Sequence, residues 1–235
     1  MARSVTWLNH DLEDEGIKTD EFLCQAIGDP GGLKVLELGA GTGWLTLWLA
    51  SRGARITAVD ISERSLDLLQ QNAAAAGVTD QITTCCSDAM NLSELDWPFD
   101  LVVGRFVLHH LRPFDTFADM LSRHFVSGRA VFLENSACNP LLMFVRQHIV
   151  GHWGIRRFSD EEERPLDHDD EQCLRARFSE VLVSHPELVM FGLVQSHLPW
   201  LGRPGRLLVR LDEAVGEMFP ALCKWSYLQV IEFGP

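Results

Sequence analysis

The stretch VLELGAGTGWLT, residues 35–46, runs from an apolar segment through an acidic residue into glycines at 39, 41 and 43. A glycine-rich turn between a strand and a helix brings backbone N–H groups and a helix N-terminus close to a ligand. Which ligand is decided by the residues around the glycines. The dinucleotide fingerprint G-x-G-x-x-G needs a third glycine where Trp44 stands. An indole there takes the room of a pyrophosphate, which disfavours NAD and FAD. No Gly-Lys-Ser/Thr follows, so the phosphate-binding P-loop is also absent. Glu37, at the exit of the apolar run, would repel a phosphate but suits a ligand that carries an ammonium or sulfonium charge. A carboxylate bonded only to loop amides would occupy the same place. Asp60 ends the next apolar run, 21 residues beyond Gly39, where a carboxylate can accept both hydroxyls of a ribose. The loop therefore asks for a nucleoside with a cationic, phosphate-free tail.

Working outward, the chain alternates short branched-apolar runs (KVLEL, RITAVD, QITTCC, FDLVVG, RAVFLE) with longer segments of helical spacing. That alternation implies parallel strands joined by crossover helices, an α/β fold. Over residues 62–76, Ser62 is placed to cap a helix, Gly77 to end it, and Leu66, Leu69 and Ala73 to face the sheet. Residues 115–125 put Phe117, Met120, Leu121 and Phe125 on one stripe, with Ser127-Gly128 turning into the next strand. After Glu134 the texture changes to aromatic-rich helical stretches and then the charged run SDEEERPLDHDDEQ, residues 159–172. This reads as an inserted cap, with the charged run as solvated loop and helix start. Residues 178–194 suggest a strand pair, 207–219 a helix and 227–233 a closing strand.

At 235 residues, nearly half apolar, the chain supports one sizeable core. We expect a single domain over 1–235: N-terminal cap helices over 1–30, a cofactor-binding core over 31–135, a cap and substrate insert over 136–177 and 195–206, and a remainder that completes the sheet. The net charge of −13 opposes nonspecific attraction to nucleic acid. No window reaches the ~18 uncharged apolar residues of a membrane span, and the N-terminus lacks the apolar region of a signal peptide. The six cysteines form no CxxC pair and no ligand-spaced cluster with histidine, so neither a zinc site nor a disulfide framework is indicated. A cytoplasmic protein with reduced thiols, monomeric or homodimeric, is expected.

From residue 34 to 134 the chain resembles the class I S-adenosylmethionine-dependent methyltransferases. ELGAGTG is similar to their first motif, VDIS to the ribose-binding acidic motif and SDAM to the adenine-binding segment. FDLVVGRFVLHHL, followed by a helix and SGRAVFLE, is similar to the fourth-strand motif and its sequel. The resemblance implies a doubly wound, mostly parallel seven-stranded sheet with a small helical cap insert. It implies that Glu37, Gly39, Ala40, Gly41 and Gly43 surround the methionine part of S-adenosylmethionine and that Asp60 holds the ribose. Ile61 would lie on the adenine, Asp88 would accept from its amino group, and Ala89 and Met90 would complete that pocket. Gly104 and Arg105 would flank the methyl. Arg105 departs from the pattern, because a cation beside a sulfonium must turn toward the acceptor or pair with a carboxylate.

The same resemblance places His110 as a base, with a helix-start histidine bonded to backbone as the alternative reading; His109 stands beside it and His10 is a third candidate. Phe106 and His109 occupy the positions where related metal-binding members carry acids, so no metal is expected. ENSACNP makes Glu134, Asn135 and Asn139 candidates for the border of the acceptor pocket, with a strand end and an Asn-Pro turn as the alternative. Trp7 would fold over from the N-terminal segment. The aromatic cap residues Phe144, Trp153, Phe158, Phe191 and Trp200 suggest a hydrophobic or aromatic small-molecule acceptor, methylated on O, N or C, of a quinone or secondary-metabolite kind. A protein or carrier-bound acceptor would instead use a basic face from Arg146, Arg156, Arg157 and Arg164, and a noncatalytic cofactor-binding relative is the remaining alternative.

Overall fold

The computed structural model describes residues 19–152, 164–194 and 203–235. Seven strands form one sheet: β1 (Lys34–Leu38), β2 (Arg55–Asp60), β3 (Ile82–Cys86), β4 (Leu101–Arg105), β5 (Arg129–Asn135), β6 (Glu180–Ser184) and β7 (Leu228–Gly234). Their spatial order is β3-β2-β1-β4-β5-β7-β6. β1 to β5 run parallel, and β7 inserts antiparallel between β5 and β6. The expected doubly wound, mostly parallel sheet is present.

The period-two alternation along the strands divides the core in two. Leu36, Leu38, Val102, Ala130 and Phe132 point to one face, where Phe117 and Leu121 of α4 (Phe114–His124) and Leu174 of α6 (His168–Arg175) cover them. Val35, Ile56, Ala58, Val103 and Leu133 point to the other. There they meet Leu23 and Ile27 of α1 (Thr19–Ile27), Leu45 and Leu49 of α2 (Trp44–Ser51), and Leu66 and Leu69 of α3 (Glu63–Ala76). Chain order reverses between β1 and β4, so the crevice at their carboxyl ends is the fold's ligand position.

Local signals hold where they were strongest. The Ser62 hydroxyl accepts from the Ser65 N–H at 3.2 Å, and Gly77 ends α3 at φ 71°. Leu66, Leu69 and Ala73 are buried as the spacing predicts. In the charged run, Asp167 and Asp170 form a reciprocal capping box that starts α6, and Asp170 is buried rather than solvated.

The expected strand pair over 178–194 is corrected to one strand, β6, which pairs with the distant β7. The second run, around Val189 to Gly192, is drawn out of the sheet by a carboxylate. Asp212 of α7 (Arg203–Met218) accepts from the N–H groups of Met190 at 3.0 Å, Phe191 at 3.0 Å and Gly192 at 2.7 Å. Three backbone donors satisfied by one side chain leave this segment no need of a strand partner. The chain then passes from α7 through a 3-10 segment (Pro220–Trp225) into β7. α5 (Pro140–His148) follows β5, and a single bridge joins Ser136 to Leu166.

Candidate active site

All three loop glycines have positive φ, at 68°, 54° and 95° for Gly39, Gly41 and Gly43, which only glycine adopts without strain. Their surroundings differ. A Cβ on Gly39 would meet Val107 Cγ2 at 2.8 Å, and one on Gly43 would meet Leu69 Cγ at 2.6 Å. A Cβ on Gly41 would meet nothing within 4 Å. Gly39 and Gly43 thus serve close packing against the protein, whereas Gly41 faces open space in the crevice.

Asp60 fixes this loop from the next strand. Its Oδ2 accepts from the Gly41 N–H at 2.7 Å and its Oδ1 from the Ser62 N–H at 2.8 Å. Each carboxylate oxygen keeps a second acceptor site for another donor. Ile61 beside it is 75% exposed, an apolar side chain with no protein cover. Glu37 lies beneath the loop, 2% exposed, and accepts from the Thr46 hydroxyl at 2.6 Å rather than from loop amides. Burial pushes its carboxyl up to about 8, the Thr46 hydrogen bond pulls it down, and the nearby Asp60 charge raises it further. A cationic ligand above the loop would favour the ionised form. Further along the rim, Asp88 Oδ1 accepts from the Met90 N–H at 2.8 Å, while Ala89 and Met90 pack on the core. An open Gly41, a carboxylate with spare acceptor sites, an uncovered Ile61 and a buried Glu37 fit a nucleoside with a cationic tail.

At the exit of β4 the chain turns under strain. A Cβ on Gly104 would meet Val107 Cγ1 at 2.5 Å and Phe132 Cε1 at 2.8 Å, so no side chain fits there. Phe106 has φ 53°, uncommon for a bulky residue. The strain is held by Glu134, which is fully buried. Its Oε1 accepts from the N–H groups of Val107 at 2.7 Å and Leu108 at 2.6 Å, and its Oε2 lies 2.7 Å from His109 Nδ1. The expectation that Glu134 borders an acceptor pocket is therefore corrected: its oxygens clamp the β4 turn from below.

His109 is itself 8% exposed, and the exposed His110 ring tilts against it with centroids 4.1 Å apart. Both belong to a 3-10 turn, Leu108–His110, with the His110 N–H donating to the Val107 carbonyl at 3.0 Å. The odd cation at 105 is also explained. Arg105 Nε lies 2.6 Å from Asp20 Oδ1 of α1, and its guanidinium sits 5.7 Å from the Trp44 ring centroid. The turn is tied to the insert as well, because Arg112 forks onto Asp170 at 2.5 and 3.0 Å.

Asn139 caps α5. Its Oδ1 accepts from the N–H groups of Leu141 at 3.0 Å and Leu142 at 3.2 Å, and its Nδ2 donates to the Trp225 carbonyl at 2.8 Å. Its side-chain amide is thus engaged within the protein, and the residue lines an apolar cavity. Asn135, partly exposed at the end of β5, has a carboxamide with no hydrogen-bond partner among the described residues. Trp7, His10, Trp153, Arg156, Arg157, Phe158 and Trp200 lie outside the described residues. Of the proposed basic face, Arg146 donates to the Tyr227 hydroxyl at 2.9 Å and Arg164 is paired with Asp167 and Asp170. Among the described residues no group of three His, Cys, Asp or Glu is placed to hold a metal.

One feature escaped sequence reasoning. This apolar cavity, of about 330 Å3, opens between Pro140, Leu188, Met190, Val215, Leu222 and Trp225. Its walls come from four separate segments joined only by tertiary contacts, and the wall around Met190 reads locally as strand.

Topology and loop together are those of a doubly wound α/β fold with a glycine turn after its first strand. Residues 35–128 match the model of a methyltransferase domain, the part of the chain that carries the resemblance to the class I S-adenosylmethionine-dependent methyltransferases. Among similar proteins, the release factor glutamine methyltransferase of Chlorobaculum tepidum is 42% identical over 75 residues, 30% of this chain and 26% of that one. The ubiquinone biosynthesis O-methyltransferase of Leptothrix cholodnii is 31% identical over 117 residues, 49% of each chain. The chain thus spans about a quarter to a half of the length of these curated relatives. Among solved structures, the magnesium protoporphyrin IX methyltransferase of Synechocystis PCC 6803 with bound SAH aligns over 99% of this chain and 90% of its own. Its TM-score is 0.60 at 16% identity, a likeness of fold.

Proposed function

We propose that this chain transfers a methyl group from S-adenosylmethionine to a small-molecule acceptor with a hydrophobic or aromatic body. The observation that carries the reading is the asymmetry of the glycine loop. Of the three loop glycines only Gly41 faces open space, and its N–H is held by Asp60, next to which Ile61 stands uncovered. In this reading Gly39, Ala40, Gly41 and Gly43 shape the methionine end, Glu37 answers its charge from below, and Asp60 takes the ribose hydroxyls with its spare acceptor sites. Ile61, Asp88, Ala89 and Met90 enclose the adenine, and Gly104 keeps the β4 rim low. When bound, the cofactor supplies an electrophilic methyl on a sulfonium, which a lone pair of the acceptor displaces to leave a neutral thioether. Alignment and exclusion of water supply much of such a rate, which suits a rim held rigid by Glu134.

A hydroxyl acceptor must also lose its proton. His110 is the base in this reading, being the exposed ring of the pair, and it leans in a tilted contact on His109, which Glu134 locks through Nδ1. Arg105 is neutralised by Asp20, so it does not oppose a sulfonium. The relatives' names span a release factor and ubiquinone biosynthesis, so likeness over the core does not choose the acceptor. Engagement of Arg146 and Arg164 within the protein favours a small molecule over an acidic macromolecular partner. We place the protein in the cytoplasm on its composition; no helix among the described residues is long and apolar enough to cross a membrane. Incubating the full chain with methyl-labelled S-adenosylmethionine and a panel of phenols, quinols and amines tests the proposal. Label should move to a panel member and turnover should fall in His110→Ala most steeply at low pH. Transfer to none of them by a folded, cofactor-binding sample would refute the small-molecule reading.

A further inference from the structure

The cavity beyond β5 stands apart from the cofactor loop. Asn139 and Pro140 follow the carboxyl end of β5, whose last residue, Asn135, pairs with Leu228 at the start of β7. Trp225 precedes that strand by three residues, so both walls lie at the sheet's carboxyl rim. β4 ends at the same rim, since Arg105 pairs with Leu133 and the Phe106 N–H donates to the Leu133 carbonyl at 2.8 Å. From β4 to β7 is two strand spacings, roughly 10 Å.

The lining determines what the cavity can accept. Pro140, Leu188, Met190, Phe191, Val215 and Leu222 offer no polar side-chain groups other than a thioether. The one amide, Asn139, spends its oxygen on two N–H groups of α5 and its nitrogen on the Trp225 carbonyl. Apart from the single indole N–H of Trp225, a hydroxyl or amide buried here would lose its water and gain no partner, so bodies with several polar groups are disfavoured. The volume of about 330 Å3 falls in the range of small-molecule sites, about 300–1,000 Å3. The cavity is also held open by design of its frame. Asp212 pins the backbone of Met190, Phe191 and Gly192, which fixes one wall, and the Asn139 bond to Trp225 fixes the opposite one.

We propose that this cavity receives the apolar body of the methyl acceptor, whose nucleophilic head then reaches the β4 rim. The inference rests on the methyltransferase reading above and narrows it. The substrate class is an elongated amphiphile: an aromatic or aliphatic body without internal polar groups, and one hydroxyl or amine about two strand spacings from the seat of that body. Compact polar acceptors, such as sugars and free amino acids, are disfavoured by a lining with one indole N–H and one spent amide as its only strong polar side-chain groups. Nothing in this assignment requires a metal or a second protein chain.

The test is calorimetric titration of the full chain, saturated with S-adenosylhomocysteine, using two phenols. 4-Heptylphenol has one hydroxyl on an apolar body, and arbutin carries the same phenol head on a sugar. The chain should bind heptylphenol and leave arbutin unbound. Val215→Trp, which fills the cavity, and Leu222→Glu, which sets a charge at its exposed edge, should each weaken heptylphenol by tenfold or more. Both should bind S-adenosylhomocysteine within twofold of the parent, which also reports that they are folded. Equal heptylphenol affinity in parent and variants, or none in a parent that binds S-adenosylhomocysteine, overturns the cavity assignment and leaves the methyltransferase reading standing. A folded parent that binds heptylphenol but not S-adenosylhomocysteine overturns the methyltransferase reading and, with it, the identification of the occupant as a methyl acceptor.

Discussion

The half of the molecule built from β1 to β5 and the half that follows Asn135 obey different rules. In the first, each strand pairs with a parallel neighbour through a crossover helix, and the chemistry sits on short turns: Gly41 and Asp60 bond to each other across 19 residues of sequence. In the second, decisive contacts are long-range and made by side chains. Asp212 organises residues 190–192, Asn139 reaches Trp225, and β6 finds its partner in β7. The first half is a scaffold whose loops present a ligand site. The second is a set of walls held together by buried polar anchors.

Glu134 ties the end of β5 to the β4 turn within the first half, and its loss should have the largest effect. Glu134→Ala leaves two N–H groups and His109 Nδ1 without their buried acceptor, at a cost of about 3–5 kcal/mol. Urea unfolding measures it; a loss below about 1 kcal/mol would mean that the β4 turn does not depend on this carboxylate.

Glu37 gives the pH dependence of the first half. Its folded-state value of about 8 lies above its ordinary 4.5, because burial disfavours the charge. The native chain therefore holds a proton that the unfolded chain releases between those values. Its contribution to stability is full below about 4.5 and is lost as pH rises to about 8, on the order of a few kcal/mol. Glu37→Gln should flatten thermal midpoints across that window; a variant with the parent's slope would break the assignment.

Asp60→Ala should weaken cofactor binding more than tenfold, about 1.5–3 kcal/mol for lost hydrogen bonds to a charged group, while leaving the second half intact. Calorimetry showing less than a twofold loss would mean that the ribose lies elsewhere. Asp170→Asn should loosen the second half from the β4 turn by about 2 kcal/mol. Burial raises the Asp170 carboxyl, but its hydrogen bonds with Arg112 and the Asp167 N–H and the nearby cations more than reverse this and hold it below the usual range. The parent should thus lose this contribution as pH falls below the ordinary carboxyl range, and the Asn variant should not. The smallest effect is expected for Ile61→Ser, where one exposed apolar side chain is lost and cofactor affinity should drop about threefold, on the order of 1 kcal/mol or less.

The contrast also explains what could be read from the chain alone. The α3 cap at Ser62, the strand runs and the glycine loop are local patterns of period two, period 3.6 or fixed φ, so residues 34–134 were legible almost element by element. Residues 187–193 carry the composition of a strand and become something else because a carboxylate some twenty residues away satisfies their backbone. Glu134 was recognisable as a residue of interest at the end of β5, but its target was not. Whether it faced a ligand or the turn of Val107 and Leu108 depends on the positive φ of Phe106, which no pattern announces. The cavity was beyond reach for the same reason, since its walls are far apart in sequence.

The central claim is that the loop of Gly39, Gly41 and Gly43 receives a phosphate-free nucleoside with a cationic tail. Calorimetric titration of the full chain with S-adenosylmethionine, and with ATP as the phosphate-bearing counterpart, tests it most directly. The account predicts saturable binding of S-adenosylmethionine, lost in Asp60→Ala, and no binding of ATP. Binding of ATP in preference to S-adenosylmethionine by the folded chain would contradict it.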